Sequence, residues 1–302
     1  MHTPTALSFS STGSPAFRLA GPLLVAGASV LWGTAGVASR YAPGVSAALL
    51  GEVRMLIGGL VLLAVFGPAG ALRVLPALPR ATLVTTGISM ALFQWSFFMA
   101  VAHAGAGVAA LVSSACAPFA AELIAALLAR RMPPLRFWVA LAGALPGVLW
   151  LARGADLSLM GVGFSLLAGT AYASYASAAA RLQQAPGARN AGVPATAIAL
   201  LCAGLLLLPA AGHDVHALFD GRALLVCAWL GLAGTALAYA LFVKGLRQLT
   251  PGSALALVQI QPLAALAFGA LLLGERFDVN TLVAMAFLAA CALLCSFKPA
   301  AR

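Results

Sequence analysis

Residues Val45–Phe66 read VSAALLGEVRMLIGGLVLLAVF. Apart from Glu52 and Arg54 the run is apolar or small throughout, and it is longer than the about 20 helical residues needed to cross bilayer hydrocarbon. The surrounding chain repeats the message. Of 302 residues, 63% are hydrophobic and 8% charged, with a mean hydropathy of +1.03; soluble domains run at about 45–50% apolar and about 25% charged. So few charges cannot cover a water-soluble globule, and lipid must be the solvent for most of the molecule. Disorder and secretion are excluded with the soluble fold. The five cysteines Cys116, Cys202, Cys227, Cys291 and Cys295 lie in apolar runs and read as reduced packing residues, not as a disulfide framework.

Working outward, nine further runs match the first. The expected spans are Pro22–Tyr41, Val45–Phe66, Ala81–Ala102, Gly107–Ala129, Leu135–Ala152, Met160–Ala180, Val193–Ala211, Ala223–Val243, Pro251–Leu273 and Val279–Phe297. Breaks at Ala42-Pro43-Gly44, Met132-Pro133-Pro134 and Gly274-Glu275-Arg276 separate them. Met1 to Ser14 is rich in Ser, Thr and Pro and has no basic segment ahead of an apolar one, so residues 1–20 are expected to be a disordered arm, not a signal peptide. Residues 299–302 would be a short tail.

The net charge of +10 is explained by where the basic residues sit. With a cytoplasmic N-terminus, one side collects Arg18, Arg73, Arg80, Arg130, Arg131, Arg136, Arg181, Arg189, Lys244, Arg247, Lys298 and Arg302. The other collects only Arg40, Arg153, Arg222 and Arg276, together with Asp156, Asp214, Asp220, Glu275 and Asp278. The positive-inside rule then puts both termini in the cytoplasm, within a cytoplasmic (inner) membrane, and no nucleic-acid partner is needed to explain the charge.

Sliding the chain by 144 residues aligns Gly87 with Gly231, Phe98 with Phe242, Ala110-Leu111 with Ala254-Leu255, Pro118 with Pro262, and Val139-Ala140 with Val283-Ala284, without gaps. Residues 21–153 and 154–298 thus read as two five-helix repeats. An odd number of spans per repeat inverts the second in the membrane, giving an all-α integral membrane fold of ten transmembrane helices arranged as inverted repeats.

The segment Gly231-Leu-Ala-Gly-Thr235-Ala-Leu-Ala-Tyr239, followed by Ala254, Pro262 and Gly274-Glu275, resembles the ten-helix EamA-like branch of the drug/metabolite transporter superfamily. Trp32-Gly33-Thr34, Arg54 and Pro118 carry the likeness in the first half. One departure is that the fourth helix ends in Arg130-Arg131 where the family often has Gly-Glu. The resemblance implies a permease, usually an exporter, with a cavity lined by helices one to four and six to nine and with the fifth and tenth peripheral. It implies no single substrate.

Within this frame, cavity-lining candidates are Trp32, Thr34, Arg54, Gln94, Trp95, Tyr172, Tyr175, Thr235, Tyr239, Gln259 and Gln261, aromatic walls with a few polar groups. Arg54 reads equally as an anion-attracting group or as an anchor on neighbouring polar atoms. Ionisable groups inside a span are costly and need an explanation. Glu122, one turn after Pro118, is expected to exchange a proton because it has no evident partner; Glu52 is the alternative coupling site, or pairs with Arg40. Pro118 and Pro262 withhold hydrogen bonds from the carbonyls of Ser114 and Val258 and would bend their helices. Gly143 and Gly147 form a small-residue face for close packing. His213, Asp214 and His216 read as a solvated turn, so no metal and no cofactor is expected.

The partners implied are a small-molecule solute, protons and the lipid bilayer. Rival readings are a non-transporting scaffold or sensor and an intramembrane enzyme. The sequence has no Gly-x-Ser-x-Gly, His-Glu-x-x-His or Walker motif to serve the enzyme. The charge count predicts that reporter fusions after Arg302 show a cytoplasmic C-terminus and fusions near Asp214 an external loop. A periplasm-active reporter at Arg302 contradicts the inverted arrangement.

Overall fold

The computed structural model describes residues 15–69, 76, 79–154, 158–184, 192–211, 215–246, 248–249, 257–276 and 279–296, and among these every regular element is helical. Helix α1 is Pro15–Ser39, α2 Ala47–Phe66, α3 Arg80–Ala104, α4 Ala106–Leu128, α5 Leu135–Gly154, α6 Leu159–Gln184 and α7 Gly192–Ala211. Helix α8 runs Gly221–Gly245 through a π-helical stretch, Leu232–Leu237. Helices α9, Ile260–Leu273, and α10, Val279–Ser296, complete the order. By length and composition five of these helices can cross a membrane: Ala20–Ser39, Ala47–Phe66, Arg80–Ala104, Ala106–Leu128 and Gly221–Gly245. Leu135–Ala144, Val193–Pro209 and Ile260–Leu273 are shorter apolar stretches.

One element start differs from expectation, at a proline. Helix α1 begins at Pro15, so residues 15–20 are helical and not part of an arm; proline is favoured at the first helical position, where its missing N–H is not needed. Residues 1–14 lie outside the described residues, as does the 299–302 tail. Helix α9 begins at Ile260 after a turn at Gln259, while Pro251 to Ala256 lie outside the described residues. Leu257 and Val258 are themselves helical, so the turn at Gln259 interrupts the helix three residues before Pro262, in the stretch whose hydrogen bonding a proline at 262 disturbs. Pro118, its repeat partner, sits inside α4, which is unbroken from Ala106 to Leu128. The aligned prolines thus differ in setting, one lying beside an interruption of its helix and the other within a continuous one.

Helix ends are set locally. Ser46 caps α2 by accepting from the Leu49 N–H at 3.3 Å, and Asp220 caps α8 by accepting from Arg222 at 3.3 Å. Gly105, at φ 80°, ends α3 and starts α4 in one residue, a left-handed conformation that glycine adopts without penalty. Within the helices, buried hydroxyls turn back on their own backbone. Ser29 donates to Val25 O, Ser113 to Ala109 O and Ser165 to Gly161 O, so none presents an unpaired group to lipid.

Packing interleaves the two sequence halves: α3 lies on α6, α2 on α7, α1 on α9 and on the end of α8, and α5 on α10. Small residues allow the approach. A Cβ added to Gly33 of α1 would lie 2.6 Å from the Ala264 Cβ and 2.9 Å from the Gln261 carbonyl oxygen of α9. Gly58 of α2 faces Thr235, and Gly231 of α8 faces Ile57. Gly143 and Gly147 seat α5 against Cys291 and Leu288 of α10, which is close packing within the chain. All five cysteines are free. Gly33→Leu should therefore separate α1 from α9 and markedly lower the apparent melting temperature in detergent. Gly163→Ala, with nothing within 4 Å of the new methyl, should be neutral or slightly stabilising, by up to about 1 kcal/mol. A null effect of Gly33→Leu would refute the contact.

Candidate functional site

Arg54 projects from the second turn of α2 into the junction between the halves and is 4% exposed. Its Nε donates to Thr235 Oγ1 at 3.0 Å and an Nη atom donates to the Gly234 carbonyl at 2.9 Å, while the guanidinium lies 5.8 Å from the Phe98 ring centroid. Both acceptors belong to the π-helical stretch of α8. There the Thr235 hydroxyl donates five residues back to Leu230 O at 2.7 Å, and the Ala238 N–H reaches Ala233 O. Wider turns of this kind are frequent at functional sites. These are the bonds that an anchor on neighbouring polar atoms makes. No carboxylate pairs with it: the one ion pair among the described residues is Glu122–Arg131, at 2.8 Å.

A partly open cavity of about 230 Å³ lies between α3, α4, α6 and the start of α9, walled by Phe93, Ser113, Ser114, Pro118, Glu122, Tyr172, Gln259, Gln261 and, from α10, Cys295. A smaller space of about 20 Å³ shares Phe93, Tyr172 and Gln261 with it and is bounded further by Trp32, Arg54, Gln94 and Tyr239. Trp32 makes edge contact with Tyr239 at 5.2 Å and packs on Phe242 at 5.1 Å; Phe93 packs on Tyr172 at 5.2 Å.

The expected lining set therefore divides. Trp32, Arg54, Gln94, Tyr172, Tyr239, Gln259 and Gln261 do line these spaces. Trp95 does not: it packs edge-on against Phe164 at 5.5 Å, one helical step from Gln94 and on a different face. Thr34 instead accepts from Trp229 Nε1 at 3.0 Å. Tyr175 is buried beside Tyr172, and Thr235 is occupied by Arg54. Glu122 lines the larger cavity but has the partner its sequence context did not reveal, Arg131 of the following turn. Glu52 is buried, lines neither space and makes no ion pair with Arg40. His213 and Asp214 lie outside the described residues, and His216 sits beside Phe219 in a short 3-10 turn.

Phe93, Ser113 and Cys295 wall the larger cavity without having been assigned to the lining, and Ser114 and Pro118, expected as a freed carbonyl and a helix bend, stand there with them. Cys295 gives α10 a place that a peripheral helix was not expected to have. At the other end of α4, Glu275 Oε1 accepts from the Ala106 N–H at 3.1 Å, and the Tyr41 hydroxyl donates to Leu272 O at 2.8 Å. Gly274, at φ 66°, turns the chain so that Glu275 can reach the helix N-terminus, where negative charge is favoured. These contacts tie α1, α4 and α9 together at that end.

The EamA-like transporter profile matches residues 19–153 and, a second time, residues 159–297. The chain belongs to the EamA-like transporter family. It is similar to the Bacillus subtilis protein named "Uncharacterized transporter YwfM", at 29% identity over 286 residues, covering 92% of this chain and 94% of that one. It is 32% identical over 282 residues to the "Threonine/homoserine exporter RhtA" of Escherichia coli K12, covering 87% and 86%. A solved crystal structure superposes with a TM-score of 0.60 at 20% identity over 92% of this chain and 96% of that one, a likeness of fold. The family and these relatives make the chain a multi-pass membrane transporter and not an enzyme. Within this transporter, Arg54→Lys keeps the charge but loses the planar fork that reaches Thr235 and Gly234 together. It should lower the melting temperature more than Thr235→Val, which removes one of two bonds worth about 1.5–3 kcal/mol each. The reverse order would show that the guanidinium is held elsewhere.

Proposed function

We propose that the chain exports a small polar metabolite of amino-acid size across the cytoplasmic membrane by alternating access, its two five-helix inverted repeats rocking about the cavity. The observation that carries the reading is the asymmetry of access. The cavity of about 230 Å³ extends toward the end of α4 that bears Glu122 and Arg131, while Glu275 and Tyr41 fasten the opposite end. With the cytoplasmic termini that the basic loops favour, the reading is a conformation open to the cytoplasm. The size of the cavity favours a metabolite, since drug-sized sites take about 300–1,000 Å³. The names of the RhtA relatives favour an amino acid. The doubled family match and the reciprocal packing of α3 on α6, α1 on α9 and α4 on α6 suit the inverted-repeat arrangement.

Coupling is assigned to Glu122. Its carboxylate is held by Arg131, and the Cys295 thiol is a further ionisable neighbour. The coupling would lie in the making and breaking of this ion pair as the cavity changes sides, since an unpaired charge among apolar side chains is costly. Glu122→Gln in proteoliposomes should then retain solute exchange and lose accumulation driven by a pH gradient. Glu275→Gln, which weakens the opposite fastening, should raise labelling of an externally placed single cysteine in the cavity while pH-driven transport remains. Full pH-driven accumulation by Glu122→Gln removes the coupling role. Absence of exchange of any amino acid by the wild-type protein removes the exporter reading.

A further inference from the structure

On the wall that α4 gives the larger cavity, Ser114, Pro118 and Glu122 recur at every fourth residue and so share one face. Pro118 has no N–H, and the carbonyl it leaves without a helix donor is that of Ser114. In a helix the carbonyl of one residue lies on the line between it and the residue four on, directed toward the C-terminal end. The Ser114 oxygen therefore sits on the cavity face and points to the end that bears Glu122, toward which the cavity extends. No side chain among the described residues donates to it.

The Ser114 hydroxyl is uncommitted as well. Its neighbour Ser113 turns back on the Ala109 carbonyl at 2.6 Å, whereas Ser114 makes no side-chain bond among the described residues. Ser114 is half-buried, and the one sealed side-chain polar atom without a partner among the described residues belongs to Gln94. The Ser114 hydroxyl is thus open to whatever fills the cavity. One turn of α4 offers that space a carbonyl and a hydroxyl, and in a lipid-embedded molecule such groups persist where water or a solute satisfies them.

Both groups accept, and the carbonyl can do nothing else. Among the described lining residues no Arg or Lys attracts an anion; the one charged side chain is Glu122, already paired with Arg131 and about 12 Å along α4 from Ser114. An ionised carboxylate has no proton to donate to a carbonyl. An ammonium carries three donors and no acceptor, and backbone carbonyls released from helical bonding coordinate cations in other carriers.

We propose that the Ser114 carbonyl and hydroxyl form the ammonium subsite of the cavity, kept available by Pro118, which denies the carbonyl its helix bond. The subsite rests on the amino-acid exporter reading above and adds to it the end of the solute that is held. It gives Pro118 a task in binding that an unbroken α4 does not require of it as a bend.

Counterflow of L-threonine and L-homoserine in proteoliposomes, against competitors that keep one end of each solute, tests this. The amines 1-amino-2-propanol and 3-amino-1-propanol keep the ammonium, whereas 3-hydroxybutyrate and 4-hydroxybutyrate keep the carboxylate. On the wild-type protein the amines should inhibit at concentrations at least about ten-fold below those of the acids. Pro118→Ala and Pro118→Gly each return an N–H to the Ser114 carbonyl while differing in stiffness; both should raise the KM of the amino acids about ten-fold and narrow the preference for amines. Pro118→Ala should do so without a loss of melting temperature. Ser114→Ala, which keeps the carbonyl and loses the hydroxyl, should raise KM in the same direction by less. Acids that inhibit as well as the amines overturn the subsite while the exporter reading stands. An unchanged KM and amine preference in both proline variants overturns it too, since the carbonyl then holds water only. If the proline variants do not fold, an unchanged KM in Ser114→Ala overturns the proposal and a raised one supports it. Exchange of neither amino acid by the wild type removes the amino-acid reading and the subsite with it.

Discussion

The guanidinium of Arg54 is the group on which the centre of the molecule depends. A cation in a lipid-embedded protein must find its partners within the protein, and Arg54 finds them in the backbone and side chain of α8, not in an acid. That choice has structural consequences. The π-helical stretch presents the Gly234 carbonyl and Thr235 hydroxyl to the guanidinium, and the glycines at 58 and 231 bring α2 and α8 close enough for the bonds to form. The bond spans the two sequence halves, so a polar interaction and not only apolar packing joins them at the cavity's inner wall.

The two ends of the cavity are built from the same kind of chain turn with different chemistry. At one end Gly274 adopts a left-handed conformation and delivers Glu275 to the start of α4. At the other, the residue 144 positions earlier is Arg130, also left-handed at φ 49°, and it delivers Arg131 to Glu122. An acid seeks a helix N-terminus, whereas a base seeks an acid. The departure of Arg130-Arg131 from the family's usual Gly-Glu is thus accommodated by Glu122.

Much of this could be read from the chain before any coordinates. The apolar runs and their Pro/Gly breaks gave the helices, because the length needed to cross hydrocarbon leaves little freedom in placing them. Arg54, Gln94, Tyr239 and Gln261 were recognisable as unusual polar or aromatic residues in apolar surroundings. What remained hidden depended on which way a side chain turns about its helix. Trp95 and Gln94 are neighbours in sequence, yet only Gln94 borders the cavity. Thr34 looked like a lining residue and instead holds the Trp229 indole. The π-helical stretch leaves no mark in an apolar run, and Arg131 could not be matched to Glu122 without knowing that the turn after α4 folds back on it. Aligned prolines suggested equivalent bends, yet only the one at 262 lies beside an interruption of its helix, at Gln259, a difference that the repeat does not reveal.

The left-handed Arg130 has a thermodynamic consequence. A non-glycine residue in that region gives up about 1–2 kcal/mol, and glycine at the equivalent position 274 does not. The two turns are therefore unequal in cost as well as in charge: the one at Gly274 is relaxed in the folded chain, whereas the one at Arg130 holds strain that its surroundings, the Glu122–Arg131 pair among them, must offset.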